Sequence, residues 1–283
     1  MTPPRVRRTR AAKVAGALGP RDWAVLEDLA RVRLLTTAQV RRLHVHEGSA
    51  LTEARRSRAL LQRLHDLAVI HRLGRRVGGL RAGSQGFTYG LSTLGQRLTS
   101  DRGPAGGIRK RKPWEPSSVF VDHVLAVSEL YVRLREVEVD TGREDRAVKL
   151  DIFDAEPACW RWWVGAAGER LVLKPDAFVS VLTSEFEYRT FVEVDRATES
   201  LPVVRRKAEV YVDYWRSGTE QAEEGLFPRV LFVVPTTKRL EAVVSVLSRL
   251  DPETWQLFQV VSEAQAAAAM TGRLPPATGE AEQ

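Results

Sequence analysis

The chain has 283 residues, 43% of them hydrophobic, with 43 Lys+Arg against 36 Asp+Glu and a formal net charge of +7. That length most naturally holds two modest domains. No apolar run approaches the roughly 20 residues that cross a bilayer and the N-terminus lacks the apolar stretch of a secretory signal, so a soluble, cytoplasmic protein with no membrane partner is expected. The one cysteine, Cys159, excludes an intramolecular disulfide and any multi-cysteine metal site, and the CWRWW around it reads as a half-buried strand with a structural thiol. There is no G-x-x-x-x-G-K-[ST] loop, which argues against an ATP-driven motor.

The charge is unevenly placed. Residues 1–118 carry 24 Lys+Arg against 8 Asp+Glu, and the remainder carries 19 against 28. A basic front attracts phosphate backbones, whereas an acidic rear with clustered carboxylates suits a metal ion. A coding bias toward arginine explains why only 7 of the basic residues are lysine, but it does not explain the asymmetry.

Along the chain, residues 1–20 combine Arg5, Arg7, Arg8, Arg10 and Lys13 with Pro, Gly and Ala, and read as a disordered basic arm. From Arg21, Trp23, Leu26, Leu29 and Ala30 recur at helical spacing. LTTAQVRRL starts a second helix capped by Thr36 or Thr37, and a third runs from about Thr52 to Leu67 with Leu60, Leu61, Leu64, Leu67 and Ala68 on one face. VIHRL and FTYGLS then read as two strands joined by the glycine-rich tip RRVGGLRAGSQG. Three helices and a hairpin over 21–100 predict a winged helix-turn-helix. Arg55, Arg56, Arg58 and Arg63 on its third helix and Arg75, Arg76 and Arg81 on its wing are the candidate DNA contacts, weighed against simple solvation of arginine-rich surfaces. A homodimer would suit such a reader on a palindromic site.

Residues 101–118, with GPAGG and then Arg109, Lys110, Arg111 and Lys112, read as a basic linker. The second domain, 119–262, opens with an amphipathic helix striped by Phe120, Val124, Val127, Tyr131 and Leu134. Strand-like WRWWV, LVLKPDAFVSVL and YRTFVEV follow, then a helix from about Pro202 to Arg216, the strand RVLFVVP, a helix over 237–250, the strand WQLFQVV and a disordered tail over 263–283. The order predicts an α/β domain with a mixed sheet.

Its chemistry concentrates in two strands. Asp176 follows Pro175 on one, and Glu193 and Asp195 alternate on the next, so that they share a face while Val192 and Val194 enter the opposite core. If the strands are neighbours, Asp176 meets Glu193, and carboxylates forced together are stabilised by a hard divalent ion, Mg²⁺ or Mn²⁺. Here the order and residues resemble the PD-(D/E)-x-K (restriction-endonuclease-like) nucleases, with Pro175-Asp176 and Glu193-Val194-Asp195 in the motif positions. The resemblance implies that Asp176 and Glu193 bind metal, that the carbonyl of Val194 contributes, and that Glu129 on the opening helix is an extra ligand. It departs from the motif where Asp195 replaces the lysine. Some nucleases of this fold take the lysine from the following helix, where Lys207 and Tyr211 form a K-x-x-x-Y similar to the Q-x-x-x-Y of RecB-like members; an ordinary surface lysine beside core aromatics is the even alternative.

The winged-helix front, LKPDAFV, FVEVDRATES and K-x-x-x-Y together resemble the replication-relaxation family of actinobacterial plasmids and mobile elements, over roughly residues 21–262. Glu193, Asp195, Arg196, Thr198 and Glu199 carry the most specific part. The resemblance implies a DNA-binding role in replication or transfer (conjugation) of such elements, alongside other replication or transfer proteins. Two readings of the second domain stay open. In one it is a Mg²⁺-dependent endonuclease or nickase in which Asp176, Glu193, Asp195 and Lys207 act, with Glu199, Arg196, Tyr211 and His123 as accessories. In the other it is a non-enzymatic replication, transfer or transcription regulator with a degenerate nuclease-like domain.

Several rival signals were weaker. His44-Val45-His46 spells the metal-binding H-hydrophobic-H of rolling-circle initiators but sits at a helix end without an acidic strand partner. Covalent attack by Tyr211 or Tyr214 competes poorly with buried packing beside Trp215. WRWW stacking unpaired bases is the lesser alternative to core and edge packing. Arg205 and Arg206 are candidate phosphate clamps or plain surface arginines.

Overall fold

The computed structural model describes residues 4–73, 87–102, 118–142, 147–165 and 167–274. The chain divides into two compact units, Met1–Val132 and Arg133–Gln283. The division falls inside a helix and not at the 101–118 linker. Residues 103–117 of that linker, the wing arginines Arg75, Arg76 and Arg81, and the last nine residues of the tail lie outside the described residues.

In the first unit the order is α1 (Pro4–Gly16), α2 (Pro20–Val32), β1 (Leu34–Thr36), α3 (Thr37–His44), α4 (Ala50–Asp66), β2 (Ile70–Arg72), β3 (Thr88–Leu91), α5 (Thr93–Arg102) and the start of α6 (Ser118–Thr141). The basic arm is therefore helical for most of its length, because its alanines favour helix and Ala11 and Leu18 are buried. Pro20 opens α2, whose first-turn Asp22 accepts the Gly19 N–H at 2.7 Å. Thr36 caps α3: its hydroxyl accepts from the Gln39 N–H and the Gln39 amide oxygen accepts from the Thr36 N–H. Leu61 and Leu64 of α4 are buried, but the helix ends at Asp66, and Ala68, placed on its apolar face by periodicity, is instead an exposed turn residue with φ 57°.

The three short strands pair antiparallel in the order β1-β3-β2, with Leu34 opposite Gly90 and Ile70 opposite Leu91. Gly95 lets α5 close on this sheet, since a Cβ there would collide with the Val69 carbonyl oxygen. Val25, Leu26, Leu29, Leu35, Val40, Leu61 and Leu64 are fully buried, each contributing about 1.5–3 kcal/mol.

The second unit continues from α6 through β4 (Lys149–Ala155), β5 (Arg161–Val164), β6 (Arg170–Leu173), β7 (Ala177–Leu182), β8 (Glu187–Val194), α7 (Leu201–Ser217), α8 (Thr219–Glu224), β9 (Arg229–Val234), α9 (Thr237–Leu247), a 3₁₀ turn (Pro252–Leu257), β10 (Phe258–Ser262) and α10 (Ala266–Met270). One mixed sheet runs β10-β9-β8-β7-β4, with β10, β9 and β8 parallel and β7 and β4 antiparallel to their neighbours. A separate two-stranded ribbon pairs β5 with β6. LVLKPDAFVSVL is thus two strands broken at Lys174-Pro175-Asp176, and Asp176 lies just before β7, not within a strand.

β4, α5, α8 and α10 were not anticipated; α10 occupies part of the tail expected to be disordered, anchored by buried Ala266, Ala269 and Met270. On one sheet face Phe178, Phe191, Val230, Phe232 and Val234 pack against Val204, Ala208, Tyr211 and Tyr214 of α7 and Val243 and Leu247 of α9. α7 starts with Pro202 and stops at Gly218, whose φ of 68° suits glycine. Among the described residues no helix is long and apolar enough to cross a membrane.

Candidate functional site

The polar cluster of the second unit lies where its apolar core ends. Phe178 and Asp176 are two positions apart, as are Phe191 and Glu193, so alternation carries each carboxylate to the face covered by α7. Ala177 pairs with Val192 and the Asp176 N–H donates to the Val192 carbonyl at 3.0 Å, which sets Asp176 beside Glu193 across the two chains. One oxygen of Asp176 accepts the Val194 N–H at 2.7 Å, closing the end of β8.

Glu193 is only 3% exposed. Its Oε2 is 3.0 Å from Lys207 Nζ, and its Oε1 accepts the Tyr211 hydroxyl at 2.7 Å. Lys207 and Tyr211 lie four residues apart on α7, one above the other, so a single helix face delivers both donors to one carboxylate. Lys207 also reaches Glu199 Oε1 at 3.0 Å. Burial, and then the neighbouring Asp176 charge, raises the Glu193 carboxyl to about 7, against the opposing pull of Lys207 and Tyr211. Burial alone would lower the Lys207 ammonium, but Glu193, Asp176 and Glu199 outweigh it and hold the group above its ordinary value. Tyr211 is raised well above the usual phenol range by burial and by Glu193, so it stays a neutral donor, packed against Phe191 and Phe258.

Asp195 belongs to a different bond set. Its Oδ2 lies 2.6 Å from Arg239 Nη2 at the start of α9, its Oδ1 accepts the Ala197 N–H at 2.6 Å, and Arg239 also donates to the Glu199 carbonyl at 2.8 Å. Asp195 therefore ties the 195–200 loop to α9, and Ala197 within that loop has φ 58°. Arg239 was not anticipated; lying 44 residues from Asp195, it gives no local signal. Arg196 is exposed, as are Arg205, paired with Glu209 at 2.8 Å, and Arg206.

Cys159 is fully buried in a turn before β5, not half-buried on a strand, and its thiol donates to the Pro175 carbonyl at 3.0 Å. Burial and the nearby Asp176 push that thiol far up, so it is no nucleophile. Glu129 falls in the first unit, where its Oε1 is 2.7 Å from Arg42 and its Oε2 accepts from Gln39 at 3.1 Å. His123 lies half-buried on the same part of α6. His44 is 2.7 Å from Asp28, which also accepts the Tyr131 hydroxyl, and Val45 is buried, so His44 and His46 do not form a pair of ligands on a strand.

In the first unit the exposed side of α4 carries Leu51, Arg55, Arg58 and Gln62 at i, i+4, i+7 and i+11. Arg56 reaches back to Glu47, donating to its carbonyl at 2.8 Å. Arg63, a candidate DNA contact, pairs with buried Asp22 and so joins α4 to the start of α2.

Asp176 and Glu193 offer oxygen donors of the kind Mg²⁺ accepts. Among the described residues no group of three or more His, Cys, Asp or Glu side chains is arranged as a cage. Two carboxylates suit an ion that takes its remaining ligands from water and a phosphate, and do not suit structural zinc or an all-protein calcium site.

Residues 26–230 match the family model described as Replication-relaxation. No curated protein and no solved structure matches the chain.

Proposed function

Because the chain belongs to the replication-relaxation family, we propose that it acts on plasmid or mobile-element DNA during replication or transfer, with a winged-helix reader in its first unit and a PD-(D/E)-x-K-like strand-cutting centre in its second. The carrying observation is the approach of Lys207 Nζ to Glu193 at 3.0 Å beside Asp176. The aspartate, glutamate and lysine of the nuclease motif thus come together although the motif position itself holds Asp195.

Asp176 and Glu193 would hold Mg²⁺ or Mn²⁺, which supplies Lewis-acid activation of the scissile phosphodiester. Tyr211 would orient the Glu193 carboxylate toward such an ion by donating to Oε1, and Glu199, 3.0 Å from Lys207 Nζ, would keep the ammonium beside the site. The ammonium of Lys207 then offers its donors to phosphate oxygens, where charge builds during phosphoryl transfer. In the first unit the order α2, β1, α3, α4, β2, β3 supports the winged-helix reading, with Arg55 and Arg58 of α4 toward the duplex.

The test is nicking of supercoiled plasmid with Mg²⁺ or Mn²⁺. Glu193→Ala and Lys207→Ala should each lower the rate by about a hundredfold or more while duplex affinity stays level; equal cutting by the variants would end the assignment. The second reading, a DNA-binding scaffold without turnover, is favoured by the ion pairs that Lys207 makes to both Glu193 and Glu199, which offset part of the cluster's charge without a metal. It predicts no nicking by the parent protein and no change in thermal stability on adding Mg²⁺.

A further inference from the structure

The β5–β6 ribbon divides its aromatic residues between two faces. Trp163 points inward to Tyr214, with ring centroids 5.0 Å apart, and Arg161 on the same side donates to buried Glu220 at 3.2 Å. Trp162 takes the other face, whereas Trp160, just before β5, packs partly buried against the core with its Nε1 enclosed. Trp162 is 48% exposed, and Val164 beyond it is exposed as well. Both indoles carry a cation from β6 or the residue after it: the Arg170 guanidinium stands 4.4 Å from the centre of the Trp162 ring, and Lys174 Nζ, itself exposed, stands 4.8 Å from that of Trp160.

The packing of the core accounts for Trp163 and Arg161. It accounts for Trp160 as well, and leaves the exposed Trp162 with Arg170 and Lys174 unexplained, because an exposed tryptophan on a short ribbon contributes little to folding. Unpaired bases stack on indole rings and on guanidinium planes, and cations beside those rings attract the phosphates that join the bases. A duplex keeps its base faces stacked on one another and offers none to a flat ribbon. The ribbon also leads straight to the carboxylates: β6 ends at Leu173, Lys174 follows with Trp160 beside it, and Pro175 and Asp176 come next. The turn that starts β5 is fastened to the same place by the Cys159–Pro175 bond.

We propose that the outer face of the β5–β6 ribbon binds a single strand of DNA, with one base on the exposed Trp162–Arg170 pair and the adjoining phosphate toward Lys174, so that the strand is led to Asp176 and Glu193. The proposal deepens the strand-cutting reading and depends on it only for the fate of the bound strand. Lys174 holds a phosphate and is not asked to take part in chemistry.

Binding of the full chain to labelled oligodeoxythymidine and to a duplex of equal length, both in EDTA so that nothing is cut, tests the ribbon independently of cleavage. Trp162→Ala should weaken single-strand binding about tenfold, Trp162→Phe should keep most of it because a stacking ring remains, and Arg170→Glu should weaken it further, all with duplex binding unchanged. Single-strand affinity equal in the parent and Trp162→Ala, or an equal loss for both DNA forms, would overturn the proposal. If Trp162→Ala loses single-strand binding while the parent nicks nothing in Mg²⁺, the ribbon stands and the cutting centre falls. If nicking depends on Glu193 but Trp162→Ala binds like the parent, the opposite holds.

Discussion

Glu193 joins two conditions that rarely coincide in a stable fold: a carboxyl almost sealed from water and a second carboxyl at its side. Its proton affinity, raised to about 7 by burial and by Asp176, makes the folded state bind more protons than the unfolded chain between the ordinary carboxyl range and neutrality. The stabilisation is therefore complete in mild acid and fades as pH rises through about 7, by on the order of 3 kcal/mol in total. Lys207, shifted upward, loses its contribution only in strong alkali and does not mask this trend. We expect Tm to fall between pH 5 and 8 and Glu193→Gln to flatten that fall; an unchanged slope in the glutamine variant would place its origin elsewhere. Mg²⁺ should restore Tm at pH 8 in the parent and leave Asp176→Ala where it was. Tyr211→Phe removes one donor from the buried carboxylate and should destabilise the fold by about 1–2 kcal/mol in urea unfolding.

Elements were legible in the sequence to the degree that their patterns are local. α2, α3, α4, α7 and α9 announce themselves by apolar spacing, caps and prolines, and β8 and β9 by unbroken apolar runs. β4 hid behind its alternating charges, since KLDIFDA reads as polar until Leu150, Phe153 and Ala155 are seen turned inward. Asp176 and Glu193 were readable because a Pro-Asp pair and an acid at the end of an apolar strand are unusual side by side. The tasks of Asp195 and Arg63 were not, because each is settled by a partner more than 40 residues away.

These distant bonds make separable predictions. Arg239→Ala leaves Asp195 buried and unpaired and should lower stability by about 3 kcal/mol, with a smaller further loss when Asp195→Ala is added. On α4, Arg63→Ala should destabilise through Asp22, whereas Arg58→Ala should leave Tm within about a degree or two and reduce the salt dependence of duplex binding by roughly one phosphate contact.

At the scale of the molecule, the +16 front and −9 rear counted about Ser118 come from the sequence alone, but the structure moves the division into α6, whose residues up to Val132 belong with the first unit and whose last turns tie to β4 through Glu138 and Thr141. Composition places a linker where glycine and proline gather and cannot see that one helix serves two cores. If the two units carry different DNA tasks, Arg55→Ala with Arg58→Ala should cost duplex affinity and spare oligodeoxythymidine, and Trp162→Ala should do the reverse; titrations that fell together in both variants would argue for one continuous DNA surface. The Asp195–Arg239 pair also limits what mutation can reach. Asp195→Lys would set two cations face to face in a closed space and release the loop that carries Glu199, so a lysine at position 195 is not accommodated by that change alone. If the strand-cutting centre proposed above is right, α7 is the element that supplies its lysine, and a lysine on the strand would first require a change at position 239.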